Sequence, residues 1–203
     1  MLKLYYAVPS RAVRPRWLLE EIGTPYDLVR LDLSAGDQKR PEYLAINPNG
    51  TVPTLVDGDL TLFESAAICQ YLADRFPDRG LAPPLGTAAR GLYYQWMHFA
   101  MSGLDAPVIA IFHHTQFRPE AERVPAIAAE SRQGLASALA VLDRALVGKQ
   151  HILGDRFTAA DVMLGSTLAW AARMHLVGPE LGATRAYLDR LAARPAFQRA
   201  FAD

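Results

Sequence analysis

Apolar and polar positions change period several times in the first third of the chain. Leu2–Val8 (LKLYYAV) is dense in strand formers. Val13, Trp17 and Leu18 then fall at helical spacing, and Gly23 stands where a helix commonly ends in a left-handed residue. Tyr26–Leu33 (YDLVRLDL) returns to period two. Together these predict a βαβ unit with parallel strands and a right-handed crossover. Pro41–Asn47 predicts a short helix with proline at its start. VPTLVDGDLTLF predicts two strands around the Asp57-Gly58 turn. Glu64–Phe76 predicts an amphipathic helix, with Ala67, Ile68, Tyr71 and Leu72 on one stripe.

Strand patterning stops after this point. Pro77–Thr87 (PDRGLAPPLGT) is heavy in proline and glycine, a linker composition. Every long segment beyond it carries helical spacing. The expected organisation is a small α/β domain over residues 1–76, a linker over 77–85, and an all-helical domain over 86–203. Within the last of these, Thr158 and Asp161 in GDRFTAADVML have the spacing of a helix capping box, and Phe157 and Val162 that of a hydrophobic staple.

Composition narrows the function. Half of the 203 residues are hydrophobic, enough for a proper core. Basic and acidic residues balance at 21 each, which argues against a nucleic-acid footprint or a polybasic membrane contact. Cys69 is the single cysteine, so no intrachain disulfide forms. There is no apolar run of about 18 residues and no signal-peptide pattern. A soluble, cytoplasmic globular protein is expected.

Two local patterns carry candidate chemistry. Val52-Pro53 opens a strand with a residue that has no N–H to donate. It is either an ordinary trans proline or a cis peptide bond that turns the N–H and C=O of Val52 outward to pair with an extended peptide. Glu64-Ser65 starts a helix. It reads either as a serine cap with an acidic neighbour, or as a site where free N–H groups take a carboxylate and Glu64 takes an ammonium group.

The element order βαβαββα, the stretches NPNGTVP and ESAAICQYLADRF, and the helical second half resemble the cytosolic glutathione S-transferase family, nearest its bacterial, theta-, zeta- and beta-like members. The resemblance covers nearly the whole chain. It implies a thioredoxin-like α/β first domain and an all-α second domain, and glutathione as co-substrate with no metal or redox cofactor. It also implies a homodimer that conjugates glutathione to a hydrophobic electrophilic small molecule; the alternatives are a non-catalytic interaction protein on the same fold, or a glutathione-dependent isomerase or dehalogenase. Residue by residue, it implies that Glu64 and Ser65 hold the γ-glutamyl end and that Val52, ahead of a cis Pro53, pairs with the cysteinyl backbone. Lys39 would meet the glycine carboxylate with Gln38 or Thr51 nearby. Asp105 resembles an acidic residue that reaches the partner subunit's glutathione in some classes.

Activation of the glutathione thiol is left open between three residues and no catalytic hydroxyl at all. A thiol of pKa ~8.5 needs about 2.7 kcal/mol to fall by ~2 units. Ser10 is the one hydroxyl between the first strand and the first helix, and is the expected donor and helix cap. Tyr5 and Tyr6, at the end of the strand, are the alternatives. Arg11 and Arg14 add positive potential, whereas Pro15 sits awkwardly if the helix begins at Ser10. His113-His114 lack a third ligand at metal spacing. Cys69 reads as buried. Tyr94, Trp96, Met97, Met101 and Phe112 read mostly as core, with some available to line an apolar substrate pocket.

Overall fold

The computed structural model describes residues 1–202 and divides into two compact units. The first runs from Met1 to Ala82 and resumes at Ala193; the second is Pro83–Ala192. The expected assignment of 86–203 to one helical domain is therefore amended at its end: the chain returns to the first unit for its last residues.

The first unit contains β1 (Leu2–Tyr6), α1 (Val13–Ile22), β2 (Tyr26–Arg30), α2 (Pro41–Leu44), β3 (Thr54–Asp57), β4 (Leu60–Phe63) and α3 (Ser65–Arg75). The sheet order is β2-β1-β3-β4. β1 pairs parallel with β2 and antiparallel with β3, and β3 pairs antiparallel with β4. This is the βαβ, helix, ββα order that the pattern predicts and the thioredoxin-like arrangement that the family resemblance implies. Two boundaries differ from expectation for local reasons. β2 stops at Arg30 because Asp32 closes a turn, its Oδ1 accepting from the N–H groups of Ser34 and Ala35 at 2.9 and 3.2 Å. α1 starts three residues beyond Ser10. Pro15 then lies in the first helical turn, where its missing N–H would have had no intrahelical acceptor.

In the second unit α4 (Ala88–Phe99) and α5 (Ala106–Phe112) form one long run interrupted by a π-helical turn at Ala100–Asp105, and a second such turn follows at His113–Phe117. Then come α6 (Pro125–Leu146), α7 (Ala159–Arg173) and α8 (Gly182–Ala192), and α9 (Pro195–Ala200) belongs to the first unit. The second core is built from side chains such as Tyr93, Met97, Leu139, Leu142, Met163 and Leu164, all nearly inaccessible. No helix among the described residues is long and apolar enough to cross a membrane.

Asp161 organises the second unit. It forms the reciprocal capping box with Thr158 at the start of α7. Its carboxylate also accepts from the Ile152 N–H at 2.9 Å and the Tyr187 hydroxyl at 2.7 Å. Burial pushes its pKa above the ordinary carboxylate value, and these donors act in the opposite sense. Thr158→Ala should lower stability by about 0.5–2 kcal/mol, the usual loss for an N-cap; an unmoved denaturation midpoint would show that Thr158 is not the cap.

Candidate active site

Strand register brings four connections to one end of the sheet. Tyr6 pairs with Arg30 where β1 and β2 both run out, Tyr5 faces Thr54 where β3 runs in, and Thr54 faces Phe63 where β4 runs out. The turn carrying Ser10, the segment carrying Gln38 and Lys39, the Val52-Pro53 entry and the Glu64-Ser65 helix start therefore gather at this end.

The Val52-Pro53 bond is cis. Val52 lies just outside β3, half-buried, and its backbone makes no hydrogen bond among the described residues. The loop before it is held by a network that sequence reasoning missed. Asn47, fully buried, donates from Nδ2 to the Thr51 carbonyl at 2.9 Å and to Thr54 Oγ1 at 3.0 Å, while its Oδ1 accepts from the Asn49 N–H at 3.1 Å. The Tyr43 hydroxyl donates to the Thr51 carbonyl at 2.6 Å and lies 2.7 Å from Thr54 Oγ1. A polar residue flanked by turn formers in NPNGT was the available signal. Thr51 is thus used through its backbone, with its side chain exposed.

Lys39 is exposed, and its Nζ lies 3.4 Å from the Asn49 carbonyl. Gln38 donates weakly to the Leu33 carbonyl at 3.4 Å, and its Oε1 is buried without a partner. Both residues lie against Gly50, where a side chain would come within 2.7 Å of the Gln38 carbonyl and 2.8 Å of Lys39 Nζ.

At the helix start, Ser65 is buried and Glu64 exposed. Glu64 holds φ at +71°, a conformation that strains any residue with a Cβ. Arg14, only 2% exposed, donates from Nη1 to Ser65 Oγ at 3.0 Å. A guanidinium only donates, so Ser65 accepts here and keeps its own proton for another acceptor. The signal for this contact was a cation on the apolar stripe of α1. Arg14 also opposes the effect of burial on Cys69, which still pushes that thiol up to about 12. Cys69 is inert as a nucleophile.

Ser10 does not cap α1. Its Oγ donates to the Ala7 carbonyl at 2.6 Å and accepts from the Ala12 N–H at 3.1 Å, closing a serine turn ahead of the helix. Tyr5 and Tyr6 point to opposite faces. The Tyr5 ring lies 5.5 Å from that of Tyr43 on α2, and the buried Tyr6 ring lies under the Arg16 guanidinium of α1 at 5.3 Å.

In the second unit Asp105 is 2% exposed and makes internal interactions. His114 Nδ1 accepts from the Val124 N–H at 3.0 Å, and His113 stacks on Phe117 at 5.2 Å. Trp96 and Met97 are core, Tyr94 is exposed, and Met101 and Phe112 are half-buried.

Comparison with known proteins agrees with this architecture. Residues 1–74 match the family model for the glutathione S-transferase N-terminal domain, and residues 125–202 the model for the C-terminal domain. The chain is 34% identical over 206 residues to glutathione S-transferase GstA of Escherichia coli O157:H7, covering 98% of this chain and 96% of that one. It is 32% identical over 208 residues to glutathione S-transferase 3 of Zea mays, covering 99% and 93%. The solved glutathione S-transferase from Xylella fastidiosa has a TM-score of 0.88 at 30% identity, covering 100% of this chain and 98% of that one. A glutathione transferase family member from Pseudomonas fluorescens, solved with two glutathione bound, also gives 0.88, at 28% identity and covering 98% and 91%. A thioredoxin-like unit followed by a helical unit, with matches over nearly the full length, defines an enzyme class. The chain belongs to the glutathione S-transferase family.

Glu64 separates strain from ligand chemistry. Glu64→Gly should be more stable than Glu64→Ala by about 1 kcal/mol, because only glycine relieves the positive φ. Equal denaturation midpoints for the two variants would show that the backbone there is unstrained.

Proposed function

We propose that the chain binds glutathione at the convergent end of its first sheet and couples the glutathione sulfur to hydrophobic electrophiles. The γ-glutamyl carboxylate is held at the α3 N-terminus by the Ser65 hydroxyl and the free N–H groups, and its ammonium by Glu64. The cysteinyl backbone pairs with Val52 as an added strand would, and the glycine carboxylate meets Lys39, beside Gln38 and Thr51. The observation that carries this reading is the Arg14–Ser65 contact, which leaves a donor proton and adds buried positive charge where a carboxylate would sit. No metal or redox cofactor enters the reaction. The thiolate attacks an electrophilic carbon, a C–S bond forms, and the leaving group departs with the electron pair of the bond that breaks.

Ser10 is the preferred thiolate donor, because it is the hydroxyl within the turn that precedes α1. Its single proton is already on the Ala7 carbonyl, so donation to sulfur requires the hydroxyl to rotate. The gain is the difference between a bond to a charged group, ~1.5–3 kcal/mol, and a neutral one, ~0.5–1.5. Ser10→Ala should then raise the bound thiol pKa by about one unit, and slow turnover at neutral pH roughly tenfold with partial recovery at alkaline pH. Ultraviolet titration of the bound thiolate in wild type, Ser10→Ala, Tyr5→Phe and Tyr6→Phe decides the assignment. A shift confined to a tyrosine variant would reassign the role, and an unshifted thiol in wild type would overturn thiolate activation altogether.

On the same reading the protein works in the cytoplasm as a homodimer in detoxification. The balanced surface charge offers no opposition to self-association. Sedimentation at micromolar concentration should give twice the chain mass; a monomer mass would rule the dimer out.

A further inference from the structure

The chain leaves the first unit at Ala82 and comes back at Ala193. What it brings back is a strap along α1. Arg194 grips Glu21 with both arms of its guanidinium, at 2.7 and 2.8 Å. Arg199 donates to the Glu20 carboxylate at 2.6 Å. Between these pairs, the Phe197 ring meets the Trp17 indole edge-on at 4.9 Å and stacks on Phe201 at 4.0 Å. Trp17 is fully buried, and its Nε1–H donates to the Glu21 carboxylate at 2.9 Å. The Arg194–Glu21 pair is itself largely sheltered, with side-chain exposures of 32% and 11%, so the geometry is better than that of an ordinary surface pair.

α1 is also the element that carries the site. Arg14, Trp17 and Glu21 fall at i, i+3 and i+7, along one side of the helix. Arg14 reaches Ser65, and the first helical amides are tied back to the Ser10 turn through Val13 N–H to Ser10 O at 3.4 Å and Arg14 N–H to Arg11 O at 3.1 Å. A helix of ten residues is short enough to shift as a rigid rod. Whatever fixes this side of it fixes the position of Arg14 and of the turn.

We infer that residues 194–201 act as a positioning strap for the glutathione site: Arg194, Phe197 and Arg199 hold α1 in the register that places Arg14 on Ser65 and sets the Ser10 turn. These residues touch no reacting atom. The inference rests on the proposed placement of glutathione in the first unit, and adds that the last residues of the chain complete that site.

The test uses the full-length chain with Arg194→Ala, Phe197→Ala and Arg194→Lys, against Thr158→Ala as a variant destabilised in the second unit. Two readouts are taken: glutathione affinity by calorimetry, and ligand-free hydrogen exchange of the Ala7–Arg14 amides. Arg194→Ala and Phe197→Ala should weaken glutathione binding roughly fivefold to tenfold and speed exchange over Ala7–Arg14. Arg194→Lys, which keeps the charge but not the fork, should fall between wild type and Arg194→Ala. Thr158→Ala should change neither readout. If either alanine variant fails to fold, Arg194→Lys and Phe197→Leu carry the same comparison. The strap is overturned if its variants lower thermal stability while affinity and Ala7–Arg14 exchange stay at wild-type values, or if Thr158→Ala moves both equally. Should wild type bind no glutathione, the placement beneath the inference fails, and the exchange measurement still decides whether the strap holds α1.

Discussion

The register of β1 against β3 is the constraint on which the rest of the first unit depends. Tyr5 opposite Thr54 sets where Val52-Pro53 enters, and Thr54 opposite Phe63 then sets where Glu64 leaves. Side chains alternate along a strand, so a slip of one residue would exchange the faces of Tyr5 and Tyr6 and turn Leu4 out of the core. It would also break the loop network, because Thr54 Oγ1 is the point at which Asn47 and Tyr43 meet. The hydrophobic pattern and the polar network therefore specify the same register by independent means. That agreement fixes the order of the groups around the sheet end.

Much of this was legible in the sequence, for identifiable reasons. Period-two and helical spacing located the strands and helices of the first unit, and Gly58 at φ +61° sits in the hairpin turn expected from Asp57-Gly58. Thr158 and Asp161 advertised their capping box by spacing alone. What failed to show was the exact turn geometry and anything decided by long-range contact. Ser10 looks like a helix cap because serine before a helix usually is one, yet its hydroxyl is taken up by the Ala7 carbonyl and by the Ala12 N–H, one residue before the first helical position. The burial of Asp105 is likewise set by packing and not by its residue type, since aspartate is usually exposed. The return of residues 194–201 to the first unit left no local trace. Helical spacing reads identically whichever unit a helix packs on.

The two serines of the site show why residue type alone does not assign chemistry. Ser65 meets a group that can only donate, so its lone pair is used and its proton is free. Ser10 meets a carbonyl that can only accept, so its proton is used. On the proposed reading Ser65 can take a carboxylate without losing anything, whereas Ser10 must exchange one bond for another. The exchange yields about 1 kcal/mol, well short of the ~2.7 kcal/mol needed to bring a thiol down by ~2 pKa units. The helix N-terminus adds ~0.3–1 kcal/mol, and up to ~2 where partly buried. On that reading activation is shared between a hydroxyl that has to turn and a helix that has to be aimed. Aim is the part a single residue cannot supply. It depends on where α1 lies, and so on what packs along it: α3 through Arg14 and Ser65 near its start, and the returning chain through Glu21 and Arg194 near its end.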